Sequence, residues 1–404
     1  MSCEKKIPAF LAVALLSVSL LNPSAPPNNS GPIYWGALIS GSTYGVGSAP
    51  QDMRSVAAFE AHTGKKVSII HFGQAWYSNG TPLGFPTTSF DNVRSHGSIP
   101  LFSWSSRDDH HLSVDPSFRS SVVTSGTYDS YIHQFAVDAK AWGHPFFLRF
   151  DWEMNGWWYP WAEGKLGTGT AIYNGNNPGD YATMWKHVHD IFTQVGATNV
   201  TWVWCINEMT ATSAGQHPPM AQIYPGDNYV DWTGMDNYNR YTGWESFNTT
   251  LTGSGTNWVL NTYQSLLDTA AAKPIMLAEF GSKEDATDGQ RKANWLTEAL
   301  TVQLPSHFPQ IKAAVYFNWN TTTDPTNPDS SIVIESSAAA QAAFANGIAL
   351  PYYAANTFTF LPPGPIQPPT SGPANRLFVP LILNSAAEQI NDLFDKSPLE
   401  DIIT

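Results

Sequence analysis

Short apolar runs recur along this chain, separated by segments long enough to hold a helix. Eight stand out: Ile33–Leu38, Lys66–His71, Ile99–Trp104, Phe146–Asp151, Val200–Cys205, Val230–Met235, Pro274–Glu279 and Ala313–Asn318. Each is six residues long and mostly apolar, the pattern of a strand buried on both faces. Between them, apolar residues at spacings of three and four predict helices over Met53–Thr63, Tyr128–Trp142, Tyr181–Val195, Val259–Ala272 and Gln290–Leu300. Alternation of strand and helix predicts a parallel sheet, because parallel neighbours need a long crossover. Eight such units over roughly 320 residues predict an α/β protein built as a single closed (β/α)8 TIM barrel. A doubly wound open sheet is the rival. No Gly-x-Gly-x-x-Gly follows an early strand, which argues against its dinucleotide-binding form.

The fourth run leads into the most unusual stretch of the chain, Phe146 to Trp161, FFLRFDWEMNGWWYPW. Arg149, Asp151 and Glu153 are spaced two apart, which in a strand puts all three on one face, with Phe150 and Trp152 on the other. Asn155 and Gly156 break the strand, and Trp157, Trp158, Tyr159 and Trp161 crowd the loop behind it. The seventh run also ends on a carboxylate, Glu279, with Phe280 and Gly281 after it to turn the chain. In a barrel both glutamates stand at the C-terminal rim, where barrel sites are built. Two carboxyl groups across such a mouth suit glycosidic cleavage: one protonates the leaving oxygen, and the other attacks the anomeric carbon or activates water. Indole faces suit the C–H faces of a sugar, and a partly desolvated carboxyl can hold its proton near neutral pH.

Composition narrows the partners. The chain is 42% hydrophobic and only 13% charged, with sixteen Trp and sixteen Tyr, most of them assigned to packing. A net charge of −13 argues against nucleic acid and anionic membranes and leaves neutral ligands such as a polysaccharide. Met1–Asn22 reads as an export signal: Lys5 and Lys6 precede an apolar core, Ile7–Leu21, too short to span a bilayer as a helix. An uncleaved anchor is the other reading of that segment. With the signal removed Cys205 is the only cysteine, so no intrachain disulfide or thiolate metal site can form. The chain divides into signal and short linker (1–30), barrel (31–355), Pro-rich linker (356–376) and a short tail (377–404). Leu361–Pro373 carries six Pro and two Gly, and the apolar strip Phe378–Leu383 is too short to cross a membrane. A secreted monomer with no membrane span, metal or organic cofactor is the expectation.

Three segments carry a resemblance to a known family. Arg149-x-x-x-Glu153-Met-Asn-Gly-x-Trp158 resembles the acid/base signature of glycoside hydrolase family 26, whose best-known members are endo-β-1,4-mannanases. Glu279-Phe-Gly281 is similar to its nucleophile segment, and Tyr224 to Tyr238 resembles its sixth strand. The resemblance runs from about Gly31 to Tyr353 and implies a (β/α)8 barrel that hydrolyses with retention. It implies that Glu153 is the acid/base, Glu279 the nucleophile and Tyr238 the residue orienting Glu279. Trp319 becomes a stacking platform, and Trp152, Trp158 and Asn155 substrate-binding residues of the cleft. Arg149 lies beneath the carboxylates, and Trp104 and His71, ending the third and second strands, are further cleft candidates.

Two departures bear on the sugar. The mannanase pattern has His immediately before the acid/base, where this chain has Trp152, and an indole cannot accept the same hydrogen bonds. The loop Trp157-Trp158-Tyr159-Pro160-Trp161 is closer to branches that cleave mixed-linkage β-1,3-1,4-glucan. β-1,4-Mannan is the first expectation, mixed-linkage glucan the second, and a non-catalytic glycan-binding barrel the third. Among other acidic residues, Glu208 is read as a loop or cleft contact and Asp151 as a structural partner of Arg149. Asp227 and Asp231 are read as turn braces. The cluster Asp108, Asp109, His110 and His111 is read as solvated loop charge rather than a metal site.

Overall fold

The computed structural model describes residues 31–109, 115–167, 169–209, 217–239, 244–253, 260–285, 288–319, 332–354 and 361–370. Eight strands form its wall: β1 (Tyr34–Ile39), β2 (Ile69–Ser78), β3 (Ile99–Asp108), β4 (Phe146–Phe150), β5 (Val200–Asn207), β6 (Trp232–Asn239), β7 (Ile275–Ser282) and β8 (Ile311–Asn318). Each lies parallel to the next, and β1 pairs with both β2 and β8, so the sheet closes on itself. A two-residue antiparallel arm, Thr81–Pro82, folds back on the end of β2. All eight predicted runs are strands. Several, β2, β3 and β6 among them, continue further toward the C-terminal mouth than their apolar cores do, because mouth-facing positions there are polar.

The five predicted helices are present as α1 (Arg54–Thr63), α3 (Asp129–Trp142), α4 (Asp180–Val195), α5 (Thr262–Ala270) and α6 (Arg291–Glu298). Of the helices that were not predicted, the two longest are α2 (Thr87–His96) and α7 (Ala338–Ile348). In α2 only Ser89, Phe90 and Val93 are buried, too narrow a stripe for periodicity to reveal. No helix among the described residues is long and apolar enough to cross a membrane.

Strand alternation sorts side chains into two cores. Ile69, Leu101, Phe147, Val203, Trp232, Met276 and Val315 point into the barrel. Trp35, Phe102, Trp104, Phe150, Trp204 and Leu277 point outward under the helices. Each fully buried large side chain of this kind stabilises the fold by roughly 1.5–3 kcal/mol.

The floor of the barrel corrects one expectation. The Pro-rich stretch, read as an extended linker, is a strap from Leu361 to Pro369 whose Ile366 (1% exposed) joins the inner core. The Ile366 N–H donates to Thr201 Oγ1 at 2.8 Å, and its carbonyl accepts from Trp232 Nε1 at 2.7 Å. The Tyr34 hydroxyl donates to the Gln367 carbonyl at 3.1 Å. Proline suits such a strap because it brings no N–H that would need a partner in the interior.

Candidate active site

Glu153 and Glu279 reach the barrel mouth by different local devices. β4 stops at Phe150, and the chain leaves the extended conformation at once. Asp151 has φ 40° and Glu153 φ 57°, in a left-handed region that costs a non-glycine residue about 1–2 kcal/mol. The surroundings hold this geometry. The Asp151 N–H donates to the Trp104 carbonyl of β3 at 3.1 Å, and the Glu153 N–H to the Cys205 carbonyl of β5 at 2.8 Å. The Asp151 carbonyl accepts from the Tyr181 hydroxyl at 3.0 Å, and the Trp152 carbonyl from Trp161 Nε1 at 2.8 Å.

This turn overturns the expected alternation beyond Phe150. Asp151 does not pair with Arg149: its carboxyl accepts from the Ser106 N–H at 2.7 Å and from the Ser106 hydroxyl at 2.5 Å. Burial pushes its pKa well up, against those two bonds. Trp152, put on the far face by alternation but expected among the substrate-binding residues, lines the cleft, with the Arg149 guanidinium 4.9 Å from its ring centre.

Glu279 arrives through a β-bulge. Ala278 already faces the interior, so plain alternation would send Glu279 outward. The register between β6 and β7 slips by one residue after Met235, placing Glu279 opposite Asp236, and Phe280 then returns to the outer core. The extra residue re-aims the carboxylate into the mouth.

An open cleft of about 650 Å³ lies between the two, lined also by His71, Arg107, Trp152, Trp158, Tyr159, Asn207, Tyr238 and Phe317. The two carboxyls are held differently. Glu279 Oε1 accepts from Arg149 Nη1 at 2.6 Å, and its Oε2 accepts from the Tyr238 hydroxyl. Burial by itself would raise this carboxyl, but Arg149, with lesser help from His71 and Tyr238, outweighs it and holds the pKa below the ordinary range. His71 is itself pushed down to about 3 by burial, so near neutral pH it is uncharged and the effect rests on Arg149 and Tyr238. Arg149 also donates to Asp236 and, at 3.2 Å, to Ser103 Oγ, so one buried cation serves two buried carboxylates.

Among the described residues Glu153 accepts from two uncharged donors. Its Oε1 accepts from Asn207 Nδ2 at 2.6 Å and its Oε2 from Trp158 Nε1 at 2.7 Å. Gly156 makes the second bond possible. A Cβ there would stand 2.5 Å from the Trp158 ring, so glycine alone lets the indole fold back to Glu153.

Other sequence candidates separate on inspection. His71 is buried at the cleft wall with Nε2 2.7 Å from Ser103 Oγ. Trp319 stands past β8 with its indole 42% exposed, angled against Phe317. Trp104 is not a cleft residue. It is fully buried on the outer face, stacked on Phe135 at 4.3 Å, because its parity along β3 is opposite to that of Ser103 and Ser105. Asn155 is not one either: its amide exchanges two hydrogen bonds with the Asn207 backbone, at 2.9 and 2.8 Å. Glu208 is buried and accepts from the Tyr238 N–H at 3.0 Å, bracing β6 beneath the site. Asp231 braces the Trp202 N–H. Asp108 holds the N–H groups of Asn79 and Gly80, while His110 and His111 lie outside the described residues. Sequence reasoning missed Asn207 and Asp236. Their only signal was parity: Val203, Cys205 and Asn207 share one face of β5, as Trp232, Asp236 and Tyr238 do of β6.

Comparison with known proteins bears on the family and the fold. Residues 108–258, which hold Glu153 but not Glu279, match the sequence profile of glycosyl hydrolase family 26. Endoglucanase H of Acetivibrio thermocellus is 32% identical over 285 residues, 69% of this chain but only 28% of that protein. The chain thus spans under a third of that relative. Among solved structures, a GH26 beta-mannanase from Bacteroides ovatus superposes with a TM-score of 0.55 at 16% identity, covering 81% of this chain and 91% of that one. The GH26 domain of an endo-beta-mannanase/endo-beta-glucanase from Prevotella bryantii gives 0.51 at 14%, covering 81% and 92%. At such identities the likeness is one of fold.

Proposed function

This chain belongs to glycosyl hydrolase family 26, and from that premise we propose that it is a secreted, retaining endo-β-glycanase working by double displacement. Glu279 attacks the anomeric carbon while Glu153 gives its proton to the departing glycosidic oxygen. The bond to the leaving sugar breaks as the glycosyl ester on Glu279 forms. Glu153, now a carboxylate, takes a proton from water, whose oxygen attacks the same carbon and releases Glu279. The observation that carries this division of labour is the unequal company of the two carboxyls. Arg149 and Tyr238 hydrogen-bond Glu279 and favour the anion a nucleophile must be, whereas Glu153 accepts from the neutral amide of Asn207 and the indole of Trp158, and its charged neighbours Arg149 and Asp236 oppose each other in sign. Export, expected from Met1–Asn22, belongs to the same reading, since a polymer must be met outside the cell.

For the substrate, Trp152 favours a glucan. Mannose carries an axial hydroxyl at C2, which projects from the ring and needs a polar partner; glucose keeps it in the ring plane. The cleft presents an indole at position 152, which can donate through Nε1 but has no acceptor for the proton of such a hydroxyl. Mixed-linkage β-1,3-1,4-glucan is therefore proposed first, and β-1,4-mannan second. The test is a product profile on barley β-glucan, glucomannan, galactomannan and β-1,3-xylan, with the anomeric form of the first product followed by NMR. Retained β configuration and fastest release from barley β-glucan are expected. Initial α product would remove the retaining mechanism, and preference for galactomannan the glucan assignment. Glu279→Ala should abolish turnover while polymer binding persists; full activity in that variant would falsify the nucleophile assignment.

A further inference from the structure

Beyond the cleft, the loop after β4 carries an aromatic surface that the two glutamates do not require. Trp157 meets Trp158 edge to face at 5.9 Å, and Tyr173 meets Trp157 edge to face at 5.4 Å. Trp158 is the residue bonded to Glu153, so the three rings form one array leading outward from that carboxyl. Tyr173 at its outer end is 43% exposed, and Leu166 nearby in the loop 42%.

The loop is built to hold these rings still. Asn174, itself buried, donates to the carbonyls of Trp157 (3.0 Å) and Tyr159, and buried Asn176 donates to those of Pro160 (2.8 Å) and Ala162 (3.0 Å). Gly164 donates to the Gly156 carbonyl at 2.8 Å, and Tyr173 to the Gly164 carbonyl at 3.2 Å. Between Met154 and Gly179 the only charged residues are Glu163 and Lys165, of opposite sign. Arg119, from a neighbouring segment, adds one cation behind the loop, its Nε donating to the Asn174 carbonyl at 2.9 Å. A fixed, sparsely charged, partly exposed aromatic surface fits a neutral ligand with flat apolar faces.

We propose that Trp157 and Tyr173 form a remote sugar-binding ledge on the leaving-group side, carrying the part of a β-linked polysaccharide that departs when the bond is cut. This rests on the reading of Glu153 as the proton donor. The oxygen it protonates belongs to the leaving sugar, so rings that continue outward from its indole partner lie along the departing chain. The ledge makes the enzyme favour long chains cut internally.

The test compares Tyr173→Ala and Tyr173→Phe in the full chain. Kinetics are measured on soluble barley β-glucan and on a nitrophenyl β-oligoglucoside, whose leaving group is too short to reach the ledge. Tyr173→Ala should raise KM on the polymer roughly two- to tenfold and leave the aryl substrate within about twofold, while Tyr173→Phe, which keeps the ring, behaves as the parent. An unchanged polymer KM, or equal losses on both substrates, overturns the ledge, as does sedimentation showing that Tyr173→Ala splits a dimer. If the parent cleaves neither substrate, the glucan assignment fails, and retardation in native gels containing barley β-glucan, glucomannan or galactomannan decides the ledge separately. Retardation of the parent but not of Tyr173→Ala supports it; no retardation of the parent overturns it.

Discussion

Arg149 is the residue on which two carboxylates depend, and Tyr238 supplies the only other hydrogen bond described at Glu279. Removing Arg149 would strand Asp236 as a buried charge, so Tyr238 is the cleaner probe. In the proposed mechanism Glu279 attacks as an anion, and the Tyr238 hydroxyl bond favours that ionised form. Tyr238→Phe therefore raises the Glu279 pKa, and the acid limb of kcat/KM should move to higher pH. Loss of a hydrogen bond to a charged group also predicts a fall of about ten- to a hundredfold in kcat. An acid limb left in place would show that Tyr238 does not hold Glu279 in its ionised form. At this scale the sequence placed both glutamates correctly at the mouth, because each follows an apolar run and little else in the chain does. It misplaced Trp104 for a physical reason: an aromatic near a strand end was read by type, when its parity already put it on the opposite face from Ser103. Asn207 was legible only by the same parity.

At the level of elements, the strands were legible and their ends were not. The two carboxyls at the mouth sit where local regularity fails, one in a left-handed turn and one at a bulge. Neither failure leaves a mark in a pattern of apolar positions, because both are set by pairing across the sheet. The turn after β4 can be tested through Asp151. Asn can keep both contacts to Ser106, accepting from its N–H and donating to its hydroxyl, whereas Ala leaves the Ser106 N–H buried without a partner. Asp151→Asn should melt within a few degrees of the parent, while Asp151→Ala should lose about 1–3 kcal/mol in denaturant unfolding. Its residual activity should also fall, as Glu153 loses its fixed backbone. Equal stability of the two variants would mean that Ser106 does not anchor the turn.

Across the whole molecule, the barrel has a working mouth and a sealed floor. The closed parallel wall followed from eight apolar runs alternating with helix-length segments, but the floor did not, because a docked strap and a free linker share the same proline-rich composition. Only the tertiary partners Thr201, Trp232 and Tyr34 distinguish them. Ile366→Ala should cost about 2–5 kcal/mol by leaving a cavity in the inner core. At a temperature where the variant stays folded, its KM and pH profile should match the parent, since the strap lies at the opposite end from the cleft. Full stability in Ile366→Ala would show that the strap is not part of the cooperative core.

The strap also sets an order on how the protein comes into being. The ribosome delivers β1 first and holds it unpaired with β8 until residue 318 has emerged, yet at that point the floor is still open. Tyr34, among the earliest of these residues made, waits for Gln367, among the last. A chain released early, with its wall complete and both glutamates present, would expose the interior of its barrel to water and to other nascent chains. Late truncation, far from the active residues in space, should therefore show itself as aggregation during synthesis rather than as an impaired enzyme.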